Sequence, residues 1–222
     1  VPHYLERRAG IAAFAEAAAY RTGGETIGEA GSPDRVDGMS VTPSFFHVLQ
    51  IKPTLGCTFS DEEGTTGKSN VVVLSDGLWR QKFGADPAAV GRQVRLGGGA
   101  MSTIIGVMPP DFRFLTFAAK LWTPLVFSDD QIKPEARHSN NMSMIARLKP
   151  GVSGAEAQAQ IDALNLSTSA TDPYAKLVKD AGFHTTVMDQ HAQFVAKMRP
   201  ALLLLQAGVL LLEIPKLLGV DH

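Results

Sequence analysis

Hydrophobic and polar positions along the chain change period repeatedly, and each change predicts a new element. Pro2 to Arg8 predicts a short helix. Phe14 to Tyr20 is alanine-rich, which suits a helix by propensity. The glycines Gly23 and Gly24 read as a turn with Glu25 to Ala30 resuming after it, so the stretch is assigned as a strand. Gly31 to Asp34 predicts a second turn and Arg35 to Val41 a further strand. Thr42 followed by Pro43 predicts an N-cap and a helix over Pro43–Leu49 that buries Phe45, Phe46, Val48 and Leu49. The apolar run Val71 to Leu74 has the signature of a buried strand. Ser75 then caps a helix, Asp76 to Phe83, facing Leu78, Trp79 and Phe83 to the core. Val94 to Leu96 and Thr103 to Val107 predict a hairpin around Gly97-Gly98-Gly99. Leu121 to Leu125 is short and extended.

The second half continues in the same way. Ser128 to Asn141 is polar and predicts a loop, and Met142 to Leu148 predicts a strand. Ser153 with Glu156 forms a capping box opening a helix with Ala157, Ile161 and Leu164 on one side. Asp172 to Asp180 predicts a shorter helix, Phe183 to Met188 a last strand, and Gln190 the start of a helix running into the apolar tail. The succession predicts an α+β fold with mostly antiparallel pairing. In the tail, Pro200 to Leu212 spans roughly 20 Å as a helix, short of the roughly 30 Å hydrocarbon core. Two readings stay open for it: a buried or partner-facing terminal helix, or the first half of a transmembrane helix.

Composition narrows function more than fold. Apolar residues make up 45% of the 222 residues, enough for a real core, and the net charge is −1. That balance is a poor match for a nucleic-acid binder, which carries a basic face. The single cysteine, Cys57, allows no internal disulfide and no multi-cysteine zinc site. Gly64 to Ser69 (GTTGKS) invites comparison with a phosphate-binding loop. Its first glycine should lie where Glu62 stands, and the strand follows the loop instead of preceding it. The six histidines form no H-x-x-x-H or H-x-H pair. His47 is read as a surface or packing residue and His138 as solvated. No serine sits in a G-x-S-x-G elbow. Asp61-Glu62-Glu63 is read as a hydrated loop, because adjacent carboxylates in water cost little. These residues assign no catalytic, cofactor-binding or metal-ligating group, and the chain is expected not to be an enzyme. The segment after Asp111, with Phe112, Phe114, Leu115 and Phe117, is the candidate for an exposed apolar contact patch. Its alternative is packing between lobes.

Several stretches resemble the periplasmic core domain of MacB-like ABC-transporter permeases, most of all the acidobacterial type. They are Val41-Thr-Pro-Ser-Phe-Phe-His-Val-Leu49, Pro53-Thr-Leu-Gly-Cys-Thr-Phe59 and Val71-Val-Val-Leu-Ser-Asp-Gly-Leu-Trp-Arg-Gln-Lys-Phe-Gly84. Further along come Asp86-Pro-Ala-Ala-Val-Gly-Arg92, Ile105-Gly-Val-Met-Pro-Pro-Asp-Phe-Arg-Phe114 and Leu121-Trp-Thr-Pro-Leu125. The last are Ala146-Arg-Leu-Lys-Pro-Gly-Val152 and Arg199-Pro-Ala-Leu-Leu-Leu-Leu205. None is specific alone; their order and spacing are. Cys57 departs from the family, which carries an arginine there.

The resemblance implies a two-lobed fold. Residues 1–60 and 141–199 would form a porter-like β-α-β lobe, residues 61–140 a smaller inserted mixed α/β lobe, and residues 200–222 the start of a transmembrane helix. It implies a non-catalytic domain on the periplasmic side of the inner membrane, inserted between the first two membrane helices of an export permease. Such a domain would relay ATP-driven motion to substrate or to an envelope partner. The implied partners are a cytoplasmic ABC ATPase, a second permease copy and an envelope adaptor; no cofactor and no nucleic acid is implied. The alternative function is a passive envelope module binding peptide, lipid or lipoprotein, with Phe112, Phe114 and Phe117 as its contact residues.

Overall fold

The computed structural model describes residues 1–28, 33–115, 117–139, 141–170, 172–182 and 184–190. Helix α1 (Pro2–Gly10) opens the chain with proline in its first turn, where no backbone donor is lost. Strands β1 (Phe14–Ile27) and β2 (Asp34–Val41) follow, then α2 (Phe45–Leu49), β3 (Leu55–Gly56), β4 (Val71–Leu74) and α3 (Asp76–Phe83). Strands β5 (Gln93–Leu96), β6 (Ala100–Val107) and β7 (Leu121–Pro124) lead to the short helix α4 (Asp129–Ile132) and a 3-10 helix, Pro134–His138. Strand β8 (Ser143–Leu148) and helices α5 (Gly154–Ser169) and α6 (Ala175–Asp180) complete it.

The expected α+β class is what forms: one mixed sheet of 8 strands in the order β2-β7-β4-β6-β5-β1-β8, with β3 beside β6. β2–β7 and β4–β6 run parallel, and the other pairings among the described residues are antiparallel. β1 also pairs with β2, so six strands close a circuit that ends where Ile27 meets Leu96. β1 changes partner along its length. Residues 14–20 pair with β8 and residues 20–27 with β2, and Tyr20 belongs to both ladders.

The alanine run holds as a strand for a reason other than the one read from sequence. Ala17, Ala18 and Ala19 are all buried. Ala18 packs with Phe45, Phe46 and Trp122 on one side, and Ala19 packs with Tyr4 of α1 on the other. Small side chains let helices approach both faces of the strand, and packing outweighs propensity. A second cluster holds α3, through Leu78 and Trp79, against Val72, Leu74 and Ile104. A third sets Ala157 and Ile161 of α5 on Ile11 and Ala13.

Four local expectations are corrected. Gly23 and Gly24 are not a turn but lie within β1, opposite Gly38 and Asp37. Gly24 makes room across the hairpin: a Cβ there would stand 2.8 Å from Arg35 Nε, whereas one on Gly23 would meet nothing within 4 Å. Thr42 is not the cap of α2, which starts at Phe45 after Ser44. Thr42 is buried, and its Oγ1 accepts from the Ala19 N–H at 3.0 Å. Residues 128–141 are not a plain loop, since they carry α4 and the 3-10 helix. Residues 184–188 form no strand, because the Val187 N–H goes to Gln158 Oε1 of α5 (2.6 Å) instead of to a ladder. Of the turn expected at Gly31 to Asp34, Gly31 and Ser32 lie outside the described residues and Asp34 already belongs to β2, and the apolar tail lies wholly outside them.

Gly106 tests the close approach of β3 to β6. A Cβ there would stand 2.2 Å from the Cys57 carbonyl oxygen, a backbone atom that cannot rotate away. Gly106→Ala is expected to cost ~1–3 kcal/mol in urea denaturation. Gly77→Ala, in α3 with nothing within 4 Å of the new atom, should gain ~0.5–1 kcal/mol. Equal midpoints for the two variants would mean that β3 slides freely on β6.

Candidate functional site

The segment from Phe112 to Phe117 is a short finger on the hydrophobic core. Phe112 N–H bonds the Pro109 carbonyl, and Phe117 N–H bonds the Phe114 carbonyl, both at 3.1 Å. Phe114 is 4% exposed and lies edge-on to Tyr20 and Phe45, with ring centres 5.0 and 4.9 Å away. Phe112 is half-buried against Trp122 and Phe46, and Phe117 rests partly buried on the same cluster. The three phenylalanines are thus brought together, with Phe114 pointing inward. Leu115 between them is 44% exposed and takes φ 55°, a left-handed backbone unusual for a large side chain. Beside it, Leu49, Ile51, Pro109, Phe112 and Phe114 line a groove of about 420 Å³, with Asp111 and Arg113 on its edge.

A larger cleft, about 1590 Å³, opens between α1, the 3-10 helix, α5 and α6. Its polar wall is an ordered network. Glu6 accepts from both terminal nitrogens of Arg137, at 2.6 Å for Nη1. The next residue, His138, places Nε2 at 3.1 Å from Asp172 and its ring 5.3 Å from that of Tyr174. Asp172 in turn accepts the Tyr174 N–H (2.9 Å). Arg7 donates from Nη2 to Thr185 Oγ1 (2.6 Å) and to Asn165 Oδ1 (3.3 Å), while its Nε is buried without a partner. Gln158 Nε2 donates to the Thr185 carbonyl (2.9 Å) and to Asp162 (2.8 Å), and so fastens residues 185–187 along α5.

Charge follows from this geometry. Burial, then Arg7 and Arg137, lower His3 to about 4, with Glu6 opposing. Burial lowers Arg7 as well; Glu6 works against that and Arg137 adds to it. The hydrogen bonds it donates to Glu6 raise Arg137. The Tyr174 N–H, and after it His138, hold Asp172 below the usual carboxylate range.

Sequence reasoning passed over this cleft. It read His138 as solvated and did not single out Glu6, Arg7 or Arg137. The contacts of Glu6 and Arg7 join residues more than 130 positions apart, a separation at which local periodicity carries no signal. His47 lies on the surface, 3.8 Å from Glu16. The GTTGKS loop turns inward on its own carboxylates: Lys68 reaches Glu62 at 3.3 Å, and Thr65 Oγ1 donates to the Glu62 carbonyl at 2.6 Å. Among the described residues no three His, Cys, Asp or Glu side chains converge as a metal site. No helix of these residues is long and apolar enough to cross a membrane.

Comparison with known proteins bears on the fold and the family. A family model described as the MacB-like periplasmic core domain matches residues 2–164. Comparison with curated proteins finds no match. Among solved structures, the chain is similar to the extracellular domain of the noncanonic ABC-type transporter YknZ from Gram-positive bacteria. The identity is 13%, the TM-score 0.56, and the match covers 77% of this chain and 83% of that one. It is similar to the periplasmic region of MacB from Actinobacillus actinomycetemcomitans, at 13% identity and TM-score 0.53, covering 83% and 82% of the two chains. It is also similar to a domain of a permease protein from Porphyromonas gingivalis, at 16% identity and TM-score 0.55, covering 77% and 76%.

Two outcomes test the site. His3 is harder to protonate folded than unfolded, so between about pH 6.5 and 4 the unfolded chain binds more protons and stability rises with pH. Acidifying through that window should therefore destabilise the chain, and His3→Gln should flatten the loss, read as Tm against pH. A parallel slope in the variant would remove His3 as the cause. At the finger, Phe114→Ser should cost ~3–5 kcal/mol and Phe117→Ser distinctly less. Equal small losses would mean that Phe114 is not a core anchor.

Proposed function

Because the chain belongs to the MacB-like periplasmic core domain family, we propose that it passes ATP-driven motion from a membrane permease to an exported substrate or an envelope partner. Its place is the extracytoplasmic part of an ABC-transporter permease, and MacB-like domains work in transporters with a cytoplasmic ATPase. Anchoring in the inner membrane, a permease dimer, an envelope adaptor and a purely non-catalytic role belong to this proposal. So does the division into a lobe of residues 1–60 and 141–199 and an inserted lobe of residues 61–140. The sheet order favours that division, since β7, β4, β6 and β5 stand together and all come from the inserted stretch.

One observation carries the relay. α1 is bonded to three separate parts of the chain: to the 3-10 helix through Glu6 and Arg137, to α5 through Arg7 and Asn165, and to the segment after α6 through Thr185. His138, beside Arg137, extends the link to Asp172 at the start of α6. Motion of α1 would draw these parts with it, as a relay of rigid packed elements requires.

The second reading is a passive envelope module that captures peptide, lipid or lipoprotein through Phe112, Phe114 and Phe117. The exposed, left-handed Leu115 beside the groove favours it, because strained backbone collects at functional sites.

Purifying the full-length membrane protein separates the two readings. The relay expects a stoichiometric P-loop ATPase to come with it, and expects the 222-residue chain alone to hydrolyse no ATP. A fluorophore at position 176, on α6, should then report ATP binding in the assembled transporter. Arg137→Gln should weaken that signal about 5-fold or more, and the exchange Glu6→Arg with Arg137→Glu should restore part of it. A signal indifferent to Arg137 overturns the relay, and absence of an ATPase makes the binding module the leading reading.

A further inference from the structure

The cleft between α1, α5 and α6 joins two features that a soluble domain seldom leaves open side by side. The first is a cation with no carboxylate hydrogen-bonded to it. Arg7 lines the cleft and bonds only the neutral oxygens of Thr185 and Asn165. Its Nε is buried with no partner at all. Glu6 is engaged with Arg137, Asp172 with His138 and the Tyr174 N–H, and Asp162 with Gln158, and none of these carboxylates is hydrogen-bonded to Arg7. Burying a charge is costly unless it is paired, so Arg7 leaves electrostatic demand unmet at this wall. The neutral state of His3, pressed down by burial and by the charges of Arg7 and Arg137, reports the same positive potential.

The second feature is exposed apolar surface lining the same cleft. Leu166, Leu177 and Tyr174 are 76%, 66% and 55% exposed, and all three line the cleft. Leu166 follows Asn165, which holds the Arg7 guanidinium, so the two features meet at α5. The volume, about 1590 Å³, exceeds the ~300–1,000 Å³ of ordinary small-molecule pockets and admits a long ligand.

We propose that this cleft is a binding site for an anionic amphiphile, with its acidic head on Arg7 and its apolar body along Leu166, Tyr174 and Leu177. The head would supply the charge-assisted hydrogen bonds that Arg7 lacks, and these are stronger than neutral ones. The body would remove from water the exposed side chains of α5 and α6, where the gain scales with apolar area. The proposal stands on the cleft alone and is independent of the relay.

The test uses the full 222-residue chain and laurate below its micellar concentration, followed by titration calorimetry. Laurate should bind once per chain. Arg7→Gln and Leu177→Ser should each weaken it by about tenfold, and acetate and dodecyl maltoside, which offer head or tail alone, should bind far more weakly. Leu177→Ser changes an exposed residue and should keep the wild-type Tm, so its effect is not one of unfolding. Laurate affinity equal in Arg7→Gln and wild type, or equal to that of dodecyl maltoside, overturns the proposal. So does a chain that binds phosphatidylglycerol vesicles through Leu177 but takes up no monomeric laurate, because the apolar wall would then be a membrane-facing surface. Failure on any arm leaves ATPase co-purification, the test of the relay, untouched.

Discussion

Everything else hangs on the backbone of β1 between Ala17 and Tyr20. Here the strand leaves one ladder and enters another, while its main-chain groups are buried and must be hydrogen-bonded. β2 ends at Val41, before the requirement is met. The two side chains that follow complete it. Thr42 Oγ1 accepts the Ala19 N–H, its own N–H goes to the Ala19 carbonyl at 2.9 Å, and Ser44 Oγ donates to the Ala17 carbonyl at 2.8 Å. Tyr4 OH lies within 3.5 Å of both Thr42 Oγ1 and the Ala17 carbonyl, which brings α1 to the same point. One small polar cluster thus fixes the strand that both ladders share and the helix that lies across it.

Stiffness follows from that arrangement. A strand held by one ladder after another, tied at the changeover by Thr42 and Ser44 and packed on both faces, has little freedom to bend, and its alanines leave no long side chain to reorient. Movement of α1 is then expressed as movement of a body and not absorbed locally. The charged network adds direction. Arg137 and His138 are adjacent on a 3-10 helix but face different partners, Glu6 of α1 and Asp172 ahead of α6. The 3-10 helix therefore ties the first helix of the chain to the last described one.

Local chemistry was legible in the sequence wherever one short stretch decided the outcome. Ser75 caps α3 by accepting the Leu78 N–H, the Ser153–Glu156 capping box opens α5, and the Val71–Leu74 run is a buried strand. Ordered motifs carried the family in the same way. Legibility failed where a residue answers to something distant. Thr42 has the look of a helix cap, but a strand 23 positions earlier claims its hydroxyl. Gly23 and Gly24 look like a turn, but they continue β1 opposite β2, where Gly24 makes room for Arg35. Residues 184–188 alternate like a strand, yet Gln158 takes their backbone groups. The cleft was invisible for the same reason, since its walls come from both ends of the chain.

The network also shows how a short segment divides its charges. Glu6 and Arg7 are neighbours on α1, and a carboxylate beside a guanidinium could have neutralised it. Glu6 instead gives both oxygens to Arg137, a bidentate geometry that a planar guanidinium rewards. Arg7 is left with a hydroxyl and an amide, acceptors that orient the guanidinium without cancelling its charge. Were Arg7 only a packing residue, a leucine or glutamine at that position would spare the desolvation and leave no orphaned Nε. Helix α1 therefore gives its one acidic residue to Arg137 and leaves Arg7, on the lining of the large cleft, without a carboxylate hydrogen-bonded to it. Local economy argues against that distribution, so the reason for it lies in what the cleft receives.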